Sequence, residues 1–219
     1  MFDEAVIKMI GQGTVDTLYM TFLSSFIAYL IGLPLGTLLV VTDKDGIAPF
    51  LVLNKVLGVI VNLLRSVPFI ILLILVMPLT RAIVHTTLGP SAVVVPLVIA
   101  SAPYIARLVE SSIKEVDKGV IEAAQSMGAK PFQIIYKVLL PEAKPSLIIG
   151  SAIAVTTILG YSAMAGFVGG GGLGDIAIRY GYHRYETSIM YVTVALLVLI
   201  VQIIQELGAL WMRRTDKRL

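Results

Sequence analysis

Apolar residues along this chain gather in five long runs, and the polar positions between them fall into short clusters, without the strict alternation of half-buried strands. A spanning helix needs roughly 20 mostly apolar residues to cross about 30 Å of hydrocarbon. The runs at about 19–41, 56–84, 92–109, 146–167 and 188–211 meet that requirement. The first carries no formal charge, the second contains Arg65 and Pro68, the third has Arg107 near its end, and the fifth closes on Trp211, which suits an interfacial aromatic belt. Pro34, Pro68, Pro78, Pro96 and Pro103 fall inside the runs, so broken helices are expected, with neighbouring helices or a water-filled cavity satisfying the freed backbone. Small residues at Gly32 and Gly36, and at Gly150 and Ala154, permit close helix contact without saying against which surface. No internal repeat or linker is visible, so the pattern predicts one all-α integral membrane domain over 1–219. Five spans put the termini on opposite sides and are few for enclosing a pathway alone, so a second copy or partner is expected.

Composition strengthens the membrane assignment: 57% of residues are hydrophobic, 14% are charged, and the mean hydropathy is +0.91, whereas soluble chains have about 25% charged residues. The absence of cysteine excludes disulfides, thiolate metal sites and cysteine nucleophiles. His85 and His183 lie far apart, so no metal site is expected. Asp3 and Glu4 replace the basic start of a cleavable signal, which predicts a retained N-terminus. A net charge of +3 raises nucleic acid as a partner, but Lys and Arg cluster beside the apolar runs, which points to membrane orientation. Lys44, Lys55, the six cations from Arg107 to Lys144, and Arg213, Arg214, Lys217 and Arg218 share one side; Lys8, Arg81, Arg179 and Arg184 occupy the other. The positive-inside rule then makes the 107–144 connection and the C-terminus cytoplasmic and the N-terminus external.

One connection has its own pattern. In EAAQSMGAKPFQIIYKVLLP (122–141), Val120, Ala123, Ala124 and Met127 recur at helical spacing up to Gly128, which suits a helix C-terminus in positive φ. Lys130-Pro131 restarts the chain, Phe132, Ile135, Tyr136 and Leu139 line a second short helix, and Pro141 is expected to end it. Two short helices at a sharp turn make either a surface-lying linker or a rigid knob docked into a partner. EAA, three residues, Gly128, nine residues, Val138, one residue, then Leu140-Pro141 resembles the EAA loop of ABC-importer permeases, with Val138 replacing the usual Ile. RSVPFIILLILVMPLTRAIV (65–84), APYIARLVE (102–110) and above all GYSAMAGFVGGGGLGDIAIRYGY (160–182) resemble the permease subunit of methionine ABC importers, from about Thr17 to Trp211.

That resemblance implies a type I importer permease fold of five transmembrane helices with a cytoplasmic coupling loop at about 116–141, between spans three and four. Glu122, Ala123, Ala124, Met127, Gly128, Lys130 and Pro131 would then couple the chain to a separate ATPase. The implied partners are a second identical permease chain, two ATP-binding subunits, an extracytoplasmic substrate-binding protein and membrane lipid, with no nucleic acid. No cofactor is expected in this chain, because ATP and Mg would be held by the ATPase. The implied location is a bacterial cytoplasmic (inner) membrane, and the implied cargo is methionine, with another amino acid or a small osmolyte as the alternative.

Gly169, Gly171 and Gly174 formally satisfy G-x-G-x-x-G, but a membrane helix precedes them where a dinucleotide site needs a strand. No Walker motif occurs, so the chain is not expected to be an ATPase; the glycine run reads as a flexible outer loop. Fifteen residues between Arg65 and Arg81, taken as one helix, span about 22 Å, so Arg65 is expected either within the membrane or snorkelling to its edge. Tyr161, Ser162, Met164 and Arg65 are candidate translocation-pathway or gate residues, with core filling as the plainer role for Met164 and snorkelling for Arg65. A self-sufficient secondary transporter would need paired intramembrane acids or histidines; spans one, three and four have none between their ends, and Glu206 in the fifth stands alone.

Overall fold

The computed structural model describes residues 3–215; Lys217 and Arg218, counted above for orientation, lie outside them. The described residues are helical, with no strand among them. Helix α1 (Glu4–Val41) begins well before residue 19 because Asp3 caps it, its carboxylate accepting the Glu4 N–H at 2.8 Å. At 38 residues it is about 57 Å long, more than a bilayer core requires.

The 56–84 run is not one helix. It divides into α2 (Leu51–Ser66), α3 (Phe69–Leu75) and α4 (Met77–Val84), and α2 and α3 meet at 101°. The break falls at Val67-Pro68, where the proline lacks an N–H and forces its predecessor out of the helical region (Val67 ψ 124°). The 22 Å estimate for Arg65 to Arg81 therefore does not apply. Helix α5 (Pro90–Lys114) carries Pro96 and Pro103 without breaking, and both rings are buried against neighbouring helices.

Parallel helices α1 and α5 form the centre. A Cβ at Gly32 would stand 2.9 Å from the Ala102 carbonyl oxygen, and one at Gly36 would stand 2.4 Å from that of Ala106. The two small-residue spacings therefore serve packing within the chain: Gly32 and Gly36 on α5, and Gly150 beside Leu108 and Ser112 of the same helix. After α5 the chain makes α6 (Lys118–Ser126), α7 (Pro131–Ile134), a π-helical turn (Ile135–Leu139), α8 (Leu140–Glu142) and α9 (Lys144–Met164). A 3-10 turn (Ala165–Val168), α10 (Gly172–Ile176) and a second π turn (Ala177–Tyr182) lead to α11 (Thr187–Thr215).

Among the described residues four helices are long and apolar enough to cross a membrane, and the bent α2–α3 pair makes a fifth if it is one span. Only 11% of the most apolar window of α11 is buried, against 61% for α5, so α11 presents most of its surface outward, as a lipid-facing helix does.

Candidate functional site

The 117–142 segment is capped and hydrogen-bonded in backbone and unfinished in packing. Asp117 caps α6 by accepting the Gly119 N–H at 2.7 Å. Two bonds close the helix, from Ala129 N–H to the Ala124 carbonyl (3.1 Å) and from Gly128 N–H to that of Gln125 (2.9 Å), the paired signature of a Schellman turn. Gly128 takes φ +76°, as the sequence predicts. Pro131 then starts α7, while the Gln133 side chain accepts the Lys130 N–H at 2.8 Å.

The apolar faces differ from the expected ones. On α6, Ala124 is buried in the chain's own core while Val120, Ala123 and Met127 are exposed. Beyond the turn, Ile134 and Leu139 are each 1% exposed and five residues apart, the spacing of the π turn that joins them. Phe132 and Tyr136, four apart, face outward instead. Pro141 does not end the helix. The π turn lets the Leu140 N–H reach the Ile135 carbonyl, and the helical run passes Pro141 to Glu142. The segment thus displays Met127 at 82% exposure and Phe132 at 78%. The Glu122 carboxylate neither caps α6 nor pairs with the described residues, although the Glu122 carbonyl accepts from Ser126 Oγ at 2.9 Å; the side chain lines a cleft.

That cleft, of about 520 Å³, lies between the loop after α1, the end of α5 and α6, with Asp43, Lys114, Lys118, Glu122 and Gln125 among its walls and Leu139 at its floor. Behind it runs a polar chain that sequence reasoning missed. Glu110 accepts from Arg107 with one oxygen and from Lys114 with the other (2.9 Å), and Lys114 also pairs with Asp43 at 3.1 Å. Arg107 donates through its second terminal nitrogen to the Gly58 carbonyl (3.2 Å) and to Asn62 Oδ1 (2.8 Å). The hydrogen bond from Lys114 holds the Asp43 carboxyl below its ordinary range. The spacing of Arg107, Glu110 and Lys114 on one helix face was a visible signal; Asp43 and Asn62 join only through tertiary packing.

The other predicted residues scatter. The Tyr161 ring stacks on Phe69 with centroids 4.7 Å apart, tying α9 to α3. Ser162 is 1% exposed and donates to the Leu159 carbonyl at 2.8 Å, so it belongs to the packing and does not face an opening. Met164 is 41% exposed, beside them at the end of α9 remote from α6. Arg65 is exposed at the last turn of α2, before the bend, and pairs with no described residue.

The glycine run is not a flexible loop. Gly169, Gly171 and Gly172 have positive φ, and the Leu173 N–H donates to Thr17 Oγ1 of α1 at 2.8 Å. A Cβ at Gly174 would lie 2.2 Å from the Ala163 carbonyl oxygen, and one at Gly166 would lie 2.5 Å from the Asp175 nitrogen. The fold places this run between helices, in the context that rules out a dinucleotide fingerprint.

The family described as "Binding-protein-dependent transport system inner membrane component" matches residues 32–219. The chain is similar to a probable D-methionine transport system permease protein of Vibrio cholerae, at 52% identity over 94% of this chain and 91% of that one. It is also similar to the methionine import system permease protein of Bacillus subtilis, at 44% identity over 99% and 98%. Its backbone superposes on a chain of a solved structure described as inward-facing conformations of the MetNI methionine ABC transporter. The TM-score is 0.97 at 45% identity, over 99% of this chain and 100% of that one.

Proposed function

This chain belongs to the inner-membrane components of binding-protein-dependent transport systems, and from that membership we propose that it is the permease subunit of an ATP-driven methionine importer. Two copies, in this proposal, enclose the translocation pathway, two separate ATP-binding subunits dock beneath them, and an extracytoplasmic binding protein delivers the substrate above. The 117–142 segment lies on the cytoplasmic side with the C-terminus, and the N-terminus is external, as the cation distribution favours.

The observation that carries the coupling role is the rigid, capped turn that holds Met127 and Phe132 almost fully exposed at a point where their own chain offers no cover. An apolar patch held out by ordered backbone is the anchor type of a protein interface. Ala123, Lys130 and Pro131 flank these anchors, Gly128 sets their angle, Ala124 keeps α6 on its own core, and Glu122 supplies a free carboxylate at the edge. ATP and Mg are bound by the partner, whose closure draws the two docked segments together. The pathway then passes from inward-facing to outward-facing. Met164, unbranched and half-exposed at the opposite end, can re-pack as part of an outer gate, with Tyr161 held behind it by Phe69.

The test is reconstitution of the chain with its ATPase and binding protein in liposomes. Methionine raises ATP turnover and enters the vesicle, and Gly128→Pro or Glu122→Lys uncouples the two while insertion is retained. Transport at normal rates by both variants removes the docking assignment, and a methionine-insensitive ATPase removes the substrate.

A further inference from the structure

We propose that Arg107 is a positioning residue for coupling, pinning α2 to α5 so that α2 moves as one body with the helices that carry the docking segment. This rests on the function proposed above, since a coupling role presupposes an ATPase that drives the chain. Helix α2 has little apolar anchorage: Val61 is the one residue of its sixteen that is buried. It is held at its start by Asn54, whose side-chain amide donates to the Leu39 carbonyl (2.6 Å) and Thr42 Oγ1 (3.1 Å). At its far end it turns through 101° into α3. Between these points Arg107 reaches across from α5 to both Gly58 and Asn62. A Cβ at Gly58 would stand 3.7 Å from Nη2, in ordinary contact, so the approach rests on the Gly58 carbonyl and Asn62 and does not require glycine there.

The other edge of the guanidinium is fixed by Glu110, whose side chain is 13% exposed. The second Glu110 oxygen is fixed in turn by Lys114, which holds Asp43 in the loop after α1. One continuous polar chain therefore joins α2, α5 and the α1 loop behind the cleft that Glu122 and Gln125 line from the docking segment. The arrangement requires a planar fork with donors on two edges. A lysine at 107 keeps the charge beside Glu110 and cannot hold both edges at once. Arg107→Lys thus loosens α2 specifically, without leaving Glu110 uncompensated.

The experiment uses the full importer in liposomes, with Arg107→Lys and Asn62→Leu as separate variants. A spin label at Lys55→Cys on α2 is this chain's one labelled site because the chain has no cysteine, and the complex of unsubstituted permease treated with the same reagent gives the background. The expected result is unchanged co-purification with the ATPase and an unchanged Tm, with methionine uptake per ATP hydrolysed lower by about tenfold. The distance distribution between the two labels of the dimer broadens in the nucleotide-trapped state. Wild-type stoichiometry with a narrow distribution in both variants overturns the proposal. So does a fall in Tm, ATPase association and uptake together, which marks a purely structural tie. Failure of the unsubstituted complex to couple ATP to uptake overturns the function itself, and is separable because it needs no variant.

Discussion

The 117–142 and 165–182 segments are built from the same unusual parts, positive-φ glycine and a π turn, and differ in what surrounds them. Around Gly128 there is no atom within 4 Å of a would-be Cβ, and Met127 and Phe132 face outward. Around Gly166, Gly172 and Gly174 a Cβ would collide with backbone or packed side chains within 3 Å, and the Leu173 N–H is bound by Thr17 of α1. One segment is completed by its own chain; the other is finished in conformation and left open in packing. The contrast separates two uses of glycine, close approach in the first case and turn geometry alone in the second.

The largest expected effect lies in the closed segment. Gly174→Val drives a branched side chain into the Ala163 backbone and should cost about 3 kcal/mol or more, read as loss of a monodisperse peak or a large fall in Tm in detergent. A near-wild-type Tm there would dissolve the contrast. Thr17→Val keeps the shape and strands the buried Leu173 N–H, at about 1–3 kcal/mol by the same thermal measurement. Gly128→Ala meets no neighbour and pays only for the left-handed backbone, about 1–2 kcal/mol. Phe132→Ala should leave stability within about 0.5 kcal/mol of wild type, read as a nearly unchanged Tm, while weakening co-purification with the ATPase.

Acid acts at the edge of the open segment through Asp43. Asp43 is held below its ordinary value by Lys114. Its contribution is therefore complete above the unfolded carboxylate pKa and is lost as pH falls through the lower folded value. Titration from pH 7 to 5 should leave the α1 loop in place, measured by the accessibility of a cysteine at Ile47, which packs against the core, and opening should begin only in stronger acid.

Much of the fold was legible because apolar run length is a direct physical requirement of the bilayer. Four of the five runs are single long helices at nearly the expected places. The 56–84 run misled because composition cannot reveal that Pro68 turns the chain through 101°, although the proline itself was the signal. Residues 122–141 gave the turn at Gly128 correctly, from a local rule about positive φ. They gave the wrong apolar face beyond the turn, because the π turn shifts the register by one residue between Ile134 and Leu139, and a 3.6-residue period cannot anticipate that. On α6 the pattern cannot tell an apolar residue packed on its own chain, as Ala124 is, from ones left open, as Val120, Ala123 and Met127 are. The glycine run read as flexible because crowding by α1 and α9 is tertiary, and Ser162 read as pathway-lining for the same reason.

The docking role of the open segment is tested most directly by disulfide trapping. The chain has no cysteine, so Met127→Cys, combined with a panel of single cysteines across the exposed face of the ATPase subunit, reports one contact at a time. The expected result is a cross-link between chains in the assembled importer, formed in high yield and arresting methionine uptake until reduced. Met127→Cys that reacts freely with a soluble maleimide in the full complex, and cross-links to no position of the ATPase, contradicts it.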